Sequence, residues 1–468
     1  MYIPEPKYLN PGDNAWQLAA ATLVGLQSVP GLAVLYAGIV KRKWAVSSAL
    51  MVFYAFCAVL MVWIFAGFNA GFGAPLKLGP GILSNIVGIP RPALDAAAET
   101  GKASIPLLSG LMPDFAFPGS ALLYFQFVFA AITPIILGGA VVGRMSHKAW
   151  MIFVPVWSLL VYSVNAFMLW GGGWLAQMGA VDFSGGYVIH VAAGVSGFVA
   201  AAVVGPRLIA DQEDFKPNNL PLALVGAGLL WLGWNGFNGG DPYFANQDAA
   251  AAVLNTNIAT AAALLTWFFL DMGINKRLSF IGAINGMIAG LVAITPAAGY
   301  VNGFGAVIIG VLGSAIPWAA MNKLSDKWPF KKVDDTLGVI YTHAMAGAVG
   351  GLLVGVLADP SIVEYLGATA KTAPVSVAGL LYGNPHQLLV QFIALIVVAA
   401  YDALMTFLIL KAIALFVPLR MSKTELLAGD RIIFNEEVFE LHHPIPEPEP
   451  VETLLSRSLD LTENEAQP

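Results

Sequence analysis

Charged residues are scarce in this chain. They make up 11% of its 468 residues, against 57% hydrophobic, whereas a soluble domain carries roughly 25% charged residues. That shortage excludes a water-facing surface of ordinary polarity over most of the molecule, so lipid must be its solvent. Cysteine is nearly missing. Cys57 stands alone, which excludes an intramolecular disulfide. Positive charge is not in surplus, and a formal net charge of -6 gives no footing for a nucleic-acid partner. The first 14 residues lack a basic stretch followed by an apolar core, so no signal peptide is expected. They read as a short segment outside the membrane.

What the chain does have is long apolar runs. Eleven can be counted, at about 16–40, 45–71, 121–143, 150–170, 187–204, 222–236, 249–270, 280–294, 304–321, 337–358 and 388–417. Most approach the roughly 20 residues a spanning helix needs. The sixth and eighth run short, and the division between 294 and 304 is the weakest. The runs are continuous, not alternating, which favours helices over a barrel. The expectation is an all-α membrane protein with eleven transmembrane helices in residues 15–419 and a tail in 420–468. The 49 glycines fit, because small residues let membrane helices approach closely.

Charge asymmetry sets the orientation. With the N-terminus outside, the inner loops carry Lys41, Arg42, Lys43, Arg144, Lys148, Arg207, Lys216, Lys276, Arg277, Lys323, Lys327, Lys331 and Lys332. The outer side carries Lys7, Lys77, Arg91, Lys102 and Lys371. Thirteen against five places the N-terminus outside a cell membrane and the tail in the cytoplasm. The longest outer connection, 75–118, is rich in glycine and proline and reads as irregular. The tail has an ordered-looking start at 426–441, then a Pro/Glu run at 444–450 that extends into solvent.

One pattern occurs twice. Asp182, His190, Ala193, Gly194 and Gly197 repeat as Asp335, His343, Ala346, Gly347 and Gly350. In an eleven-span topology the fifth span runs inward and the tenth outward, which makes a five-plus-five inverted repeat. Eight helical residues rise roughly 12 Å, and half the hydrocarbon core is roughly 15 Å. Both histidines therefore reach near the midplane, the place where inverted-repeat transporters build their sites. Two neutral imidazoles there can share one proton. The bland alternative is two separate buried histidines, each bonded to a carbonyl. The small residues after each histidine need no function beyond close packing. His147, His386, His442 and His443 fall in loops or the tail. His190 and His343 have no third ligand nearby, so no metal and no cofactor are expected, and no enzyme.

The segment Asp182-Phe-Ser-Gly-Gly-Tyr-Val-Ile-His190 resembles the signature of the ammonium transporter family, which includes methylammonium permeases and Rhesus proteins. Trp170-Gly-Gly-Gly, Phe125-Gln-Phe-Val-Phe-Ala-Ala-Ile-Thr133 and Trp234-Asn-Gly-Phe-Asn-Gly-Gly240 fit in the same order. The match covers about residues 14–420 and is taken as the bacterial or archaeal type. The resemblance implies eleven helices around a central pore in each subunit of a homotrimer. It makes His190 and His343 the pore pair, and Phe129 and Phe237 the stacked gate. Phe125 and Trp170 become the aromatic walls of an outer ammonium site, with Asp182 the buried acid beside it. Without the resemblance, the three phenylalanines read as ordinary core and Trp170 as an interfacial anchor. Aromatic faces attract a cation by roughly 0.5–2 kcal/mol without strong size discrimination. An apolar pore then makes charge costly to carry, so the selective step is loss of the proton.

Several positions depart from the family pattern. Asp241 stands where a serine is common. It reads either as an added cation ligand or as an exposed loop acid before Pro242. Gly338 stands where an acid usually precedes the second histidine, and Ile340-Tyr-Thr342 replaces a Phe-Gly run. Tyr341 and Thr342 bring hydroxyls towards the pore. Asp402 lies midway along the last apolar run, where a hydrogen bond to a neighbouring helix is favoured over a proton pathway. By family analogy the tail contacts inner loops, with Lys331 and Lys332 as partners, and a PII-type signal protein docks at the cytoplasmic face. The leading expectation is an ammonium transporter that recruits NH4+ at the outer site and passes NH3, with or without a relayed proton. An ammonium sensor with a tail-mediated output and a Rhesus-like gas channel are the alternatives.

Overall fold

Lipid offers no water to unpaired N–H and C=O groups, so each apolar run satisfies its backbone internally as a helix. The computed structural model describes residues 5–112, 114–213, 216–362 and 377–436. Among these, ten helices are long and apolar enough to cross a membrane, and one shorter apolar helix makes eleven. They are α1 (Pro11–Ile39), α2 (Arg42–Phe72), α3 (Gly119–Val141), α4 (His147–Gln177), α5 (Gly186–Val204), α6 (Leu220–Gly239), α7 (Gln247–Asn275), α8 (Phe280–Ile294), α9 (Gly303–Leu324), α10 (Ile340–Leu357) and α11 (Pro385–Ile413). The Asn10 side chain caps α1, so that helix begins inside the segment expected to lie outside it. The expected short sixth run is a 20-residue helix, while the eighth is short as read, with 15 residues. The uncertain division resolves as buried turns, closed by Asn302, whose side chain accepts the Gly305 N–H at 3.0 Å.

The long connection after α2 forms short turns at Gly81–Ser84, Ala96–Thr100 and Pro106–Leu108. It brings the buried rings of Phe115 and Phe117 over one end of the bundle. His147 and His386, expected in loops, are instead in the first turns of α4 and α11. Lys371, His442, His443, the end of the expected ordered stretch to Leu441 and the Pro/Glu run lie outside the described residues.

α5 and α10 pack at the centre. Glycine is required at the crossing. A Cβ on Gly194 would sit 2.5 Å from the main-chain nitrogen of Ala344, and one on Gly347 would sit 2.6 Å from the carbonyl oxygen of Gly186. Gly194 and Gly347 are thus the means by which the two histidine-bearing helices come together, while Gly197 and Gly350 let α3 and α8 approach, at Ala140 and Ala293.

At the opposite end from Phe115, the basic loops interlock. Arg144 is fully buried. It donates from Nε to the Gly205 carbonyl at 2.6 Å, and from its other nitrogens to Ala140, Asp334 and Thr336. Arg207 grips Asp334 through two nitrogens, at 2.9 and 2.7 Å. Burial pushes the Asp334 carboxyl up, but Arg207 and Arg144 outweigh it and hold it below the ordinary aspartate range. The tail begins with α12 (Lys423–Ala428) and α13 (Asp430–Phe434). The Asp430 carboxylate accepts the N–H groups of Val46 at 2.7 Å and Ser47 at 3.1 Å, at the start of α2. Lys43 donates to the Leu426 carbonyl at 2.9 Å, and Met421 N–H donates to that of Arg144. Among the described residues the tail therefore engages Lys43 and the Arg144 main chain; the rest of the tail, where a contact with Lys331 and Lys332 would also fall, lies outside them.

Candidate functional site

Each half of the repeat starts its helix in the protein interior. Between Asp182 and His190 the chain is irregular as far as Gly185, and α5 opens at Gly186 on a wide π-helical turn. α10 opens the same way at Ile340. The expectation of eight helical residues between acid and histidine is corrected by these late starts. His190 is only the fifth residue of its helix and His343 the fourth.

The two acids explain how such starts are tolerated. A helix opening leaves N–H groups without partners. Asp182 accepts four of them, from Gly185, Gly186, Tyr187 and Val188, at 2.7 to 3.2 Å. Asp335 accepts the N–H of Ile340 at 2.8 Å. The repeated aspartate is a helix cap in both halves. Gly338 sits between with φ +68°, a conformation an acidic side chain would strain, and this accounts for the glycine where an acid was expected.

The caps and the glycine crossing deliver the histidines to each other. Nδ1 of His190 lies 3.2 Å from Nδ1 of His343, and the ring planes are 28° apart. One ring donates and the other accepts. His190 is fully buried and His343 is 7% exposed. The bland alternative of two separate histidines is overturned by this contact.

Aromatic rings lead from the pair to the end covered by Phe115. His190 stacks on Trp234 at 5.4 Å and 16°. Phe237 lies 4.8 Å from Trp234 and 6.0 Å from His190. Phe129 meets Phe237 at 4.4 Å, and Phe125 meets Phe129 at 4.8 Å. Trp170 stands edge-on to Phe129 at 6.2 Å, at the break ending the main run of α4. Phe125, Phe129 and Phe237 are wholly buried. Asp241 is in the turn after α6. It is not an exposed loop acid: it is 5% exposed, and its Oδ2 has no hydrogen-bond partner among the described residues.

On the other side of the pair, a cavity of about 280 Å³ reaches His343. Tyr36, Asn285, Asp335, Tyr341 and Thr342 are in its lining. The Thr342 hydroxyl is turned back to the Gly338 carbonyl at 3.1 Å, and Tyr341 packs on Phe330. Asp402 is fully buried away from this path and accepts the Asn165 amide of α4 at 2.7 Å, the inter-helix bond favoured from sequence.

Three participants escaped sequence reasoning. Trp234 stands in the sequence only as one residue of the Trp234–Gly240 motif, yet it is the flat wall against His190, held by its indole N–H to Thr295 at 2.8 Å. Gln391 of α11 clamps the loop before Asp182, with both its amide oxygen and nitrogen bonded to the Val181 backbone at 2.8 Å. Tyr243 joins the ring series at its outer end, 6.1 Å from Phe125. Among these, only the Trp234 motif left a signal in the sequence.

Residues 15–439 match the family model described as Ammonium Transporter Family. The chain is 49% identical over 443 residues to ammonium transporter 2 of Arabidopsis thaliana, covering 94% of this chain and 90% of that protein. The crystal structure of Saccharomyces cerevisiae Mep2 matches with a TM-score of 0.77 at 26% identity, covering 95% of this chain and 94% of that one. A sensor Amt protein matches with a TM-score of 0.77 at 25% identity, covering 91% and 98%.

Proposed function

The chain belongs to the ammonium transporter family, and from that premise we propose a route for its substrate. It is a multi-pass membrane transport protein and not an enzyme. NH4+ is recruited at the mouth by Phe125, Trp170 and Asp241, with Asp182 holding that mouth in place. The rings of Phe129 and Phe237 are the gate. Charge is costly to carry past them, so the proton is given up there, to water at the mouth or onward to the imidazole pair, and NH3 continues to His190 and His343. The imidazole pair bonds the neutral species and relays the proton or leaves it behind.

The single observation that carries this reading is the Nδ1-to-Nδ1 contact of 3.2 Å between His190 and His343, directly beyond the closed rings. The ring gate opens outside and the 280 Å³ cavity inside, with the basic loops and tail in the cytoplasm. The protein acts in the cell membrane as a homotrimer of bacterial or archaeal type, and a PII-type signal protein is its partner at the cytoplasmic face. Likeness to a sensor Amt protein and the anchoring of Asp430 on α2 favour one second reading, in which movement of the tail reports occupancy. A Rhesus-like gas channel fits less well, because the aromatic outer pair is of use only to a cation.

Currents on solid-supported proteoliposomes test the route. A saturable response to an ammonium jump, none to potassium, and loss of current or selectivity in His343→Ala are expected. Persistence of a selective current in that variant overturns the histidine step. With no current, an internal-pH assay separates ammonia passage from sensing. Asp241→Ser should change the half-saturating ammonium concentration, and no change would remove Asp241 from the site.

A further inference from the structure

The turn after α6 contains a conformation that its sequence could easily have avoided. Tyr243 N–H donates to the Gly240 carbonyl at 3.0 Å and closes the turn. To do so Tyr243 takes φ +65°. That left-handed region suits glycine, and a bulky side chain there is a steric outlier. Such outliers persist only where the surroundings hold them, and they cluster at functional sites.

Here the surroundings hold the ring firmly. The phenol oxygen accepts the Gln126 amide at 2.9 Å. Phe115 stands edge-on to it at 5.0 Å and 81°, and Phe125 at 6.1 Å and 75°. Tyr243 itself is 8% exposed, while Phe125 beneath it is wholly buried. Glycine would make the same turn without strain. What glycine cannot do is set a ring edge-on against Phe125, two residues beyond the turn's own acid, Asp241. The Asp241 Oδ2 is buried and without a partner among the described residues. A carboxylate oxygen in that state, beside aromatic faces, is suited to an N–H-bearing cation.

We propose that Tyr243 is a size filter for the recruitment site, closing the cation cage over Phe125 and Asp241 so that ammonium enters and alkylammonium ions are rejected. The inference rests on the recruitment role given to those two residues above. The selectivity is steric and chemical at once. Methylammonium replaces one N–H by a methyl group, so it needs more room and brings one donor fewer. The strained backbone at Tyr243 is the cost of holding a ring where the turn alone calls for glycine.

The test compares ammonium and methylammonium responses of the full-length protein in proteoliposomes, read as current and internal pH. Wild type is expected to prefer ammonium strongly. Tyr243→Gly should raise the methylammonium-to-ammonium ratio by about five-fold or more, with a lower melting temperature, because loss of the buried ring outweighs the strain relieved. Tyr243→Asn, whose side chain tolerates the left-handed region, should do the same and serves if the glycine variant folds poorly. Tyr243→Phe keeps the ring and should keep the wild-type ratio. A ratio within about two-fold of wild type in the glycine and asparagine variants overturns the filter while leaving ammonium transport intact. A wild type that moves neither ion overturns the transport reading, and the filter with it.

Discussion

The indole N–H of Trp170 donates to the main-chain carbonyl of Asp182 at 2.6 Å, and the carboxylate of that same aspartate caps α5. One residue therefore ties the Trp170 ring to the helix that carries His190. Asp182→Ala removes the acceptor for four N–H groups. Loss of an ordinary cap costs about 0.5–2 kcal/mol, and burial of the orphaned donors places this one at the upper end or above. Thermal unfolding in detergent should show that loss, and ammonium transport should fall with it. Asp182→Asn keeps an acceptor and should fold better than the alanine variant. An alanine variant with wild-type melting would remove the capping role.

Gly194 sets how closely α5 approaches α10. Glycine to alanine inside a helix ordinarily gains about 0.5–1 kcal/mol. At Gly194 the new methyl would meet the Ala344 backbone at 2.5 Å, so Gly194→Ala should instead cost about 1–3 kcal/mol. The histidine rings should separate and the ammonium current fall. Calorimetry together with the current checks both halves. A stabilised, fully active variant would contradict the packing argument.

Asp402 distinguishes structure from proton traffic. Asp402→Asn retains an acceptor for the Asn165 amide, so melting and transport should both stay near wild type. Asp402→Leu strands that amide in the core, at a cost of about 1–3 kcal/mol. If the asparagine variant melted normally yet stopped transporting, a proton role would replace the structural one.

Acid should loosen the interlocked basic loops through Asp334. Its carboxyl is held below the ordinary range by Arg207 and Arg144. The folded protein therefore binds this proton less readily than the unfolded chain. The stabilisation is fully present above the unfolded pKa of about 4, and it drains away as pH falls through the lower folded value. Melting temperatures measured from pH 6 downward should fall less steeply in Asp334→Asn than in wild type. Parallel curves would rule out this linkage.

The eleven helices were legible because lipid forbids unpaired backbone, so every sufficiently long apolar run had a single outcome. The histidine pair was legible because the pattern around His190 recurs around His343. Hydropathy could not reveal that α5 and α10 begin inside the protein, since an interior start and a surface start have the same apolar composition. The burial of Asp241 depends on a turn whose neighbours come from the distant loop holding Phe115. The left-handed backbone at Gly338 and Tyr243 is a property of three-dimensional fit, and glycine and tyrosine announce it very unequally. The tail's docking pairs the Lys43 ammonium with the Leu426 carbonyl and the Asp430 carboxylate with the N–H groups of Val46 and Ser47, so one partner in each contact is main chain and leaves no mark in the sequence.

The rings from Tyr243 through Phe129 and Phe237 to His190 have a consequence for membrane voltage. They form a thin insulating plug, with a cavity of about 280 Å³ reaching its far side at His343. Voltage falls where the dielectric is low, so the potential is concentrated towards this plug to the extent that water fills the cavity on its far side. A charge carried through it works with or against about 2.3 kcal/mol per 100 mV, while a neutral molecule crosses without feeling the field. Under the route proposed above, the step at which the substrate loses its proton is therefore also the step on which the cell's electrical state acts.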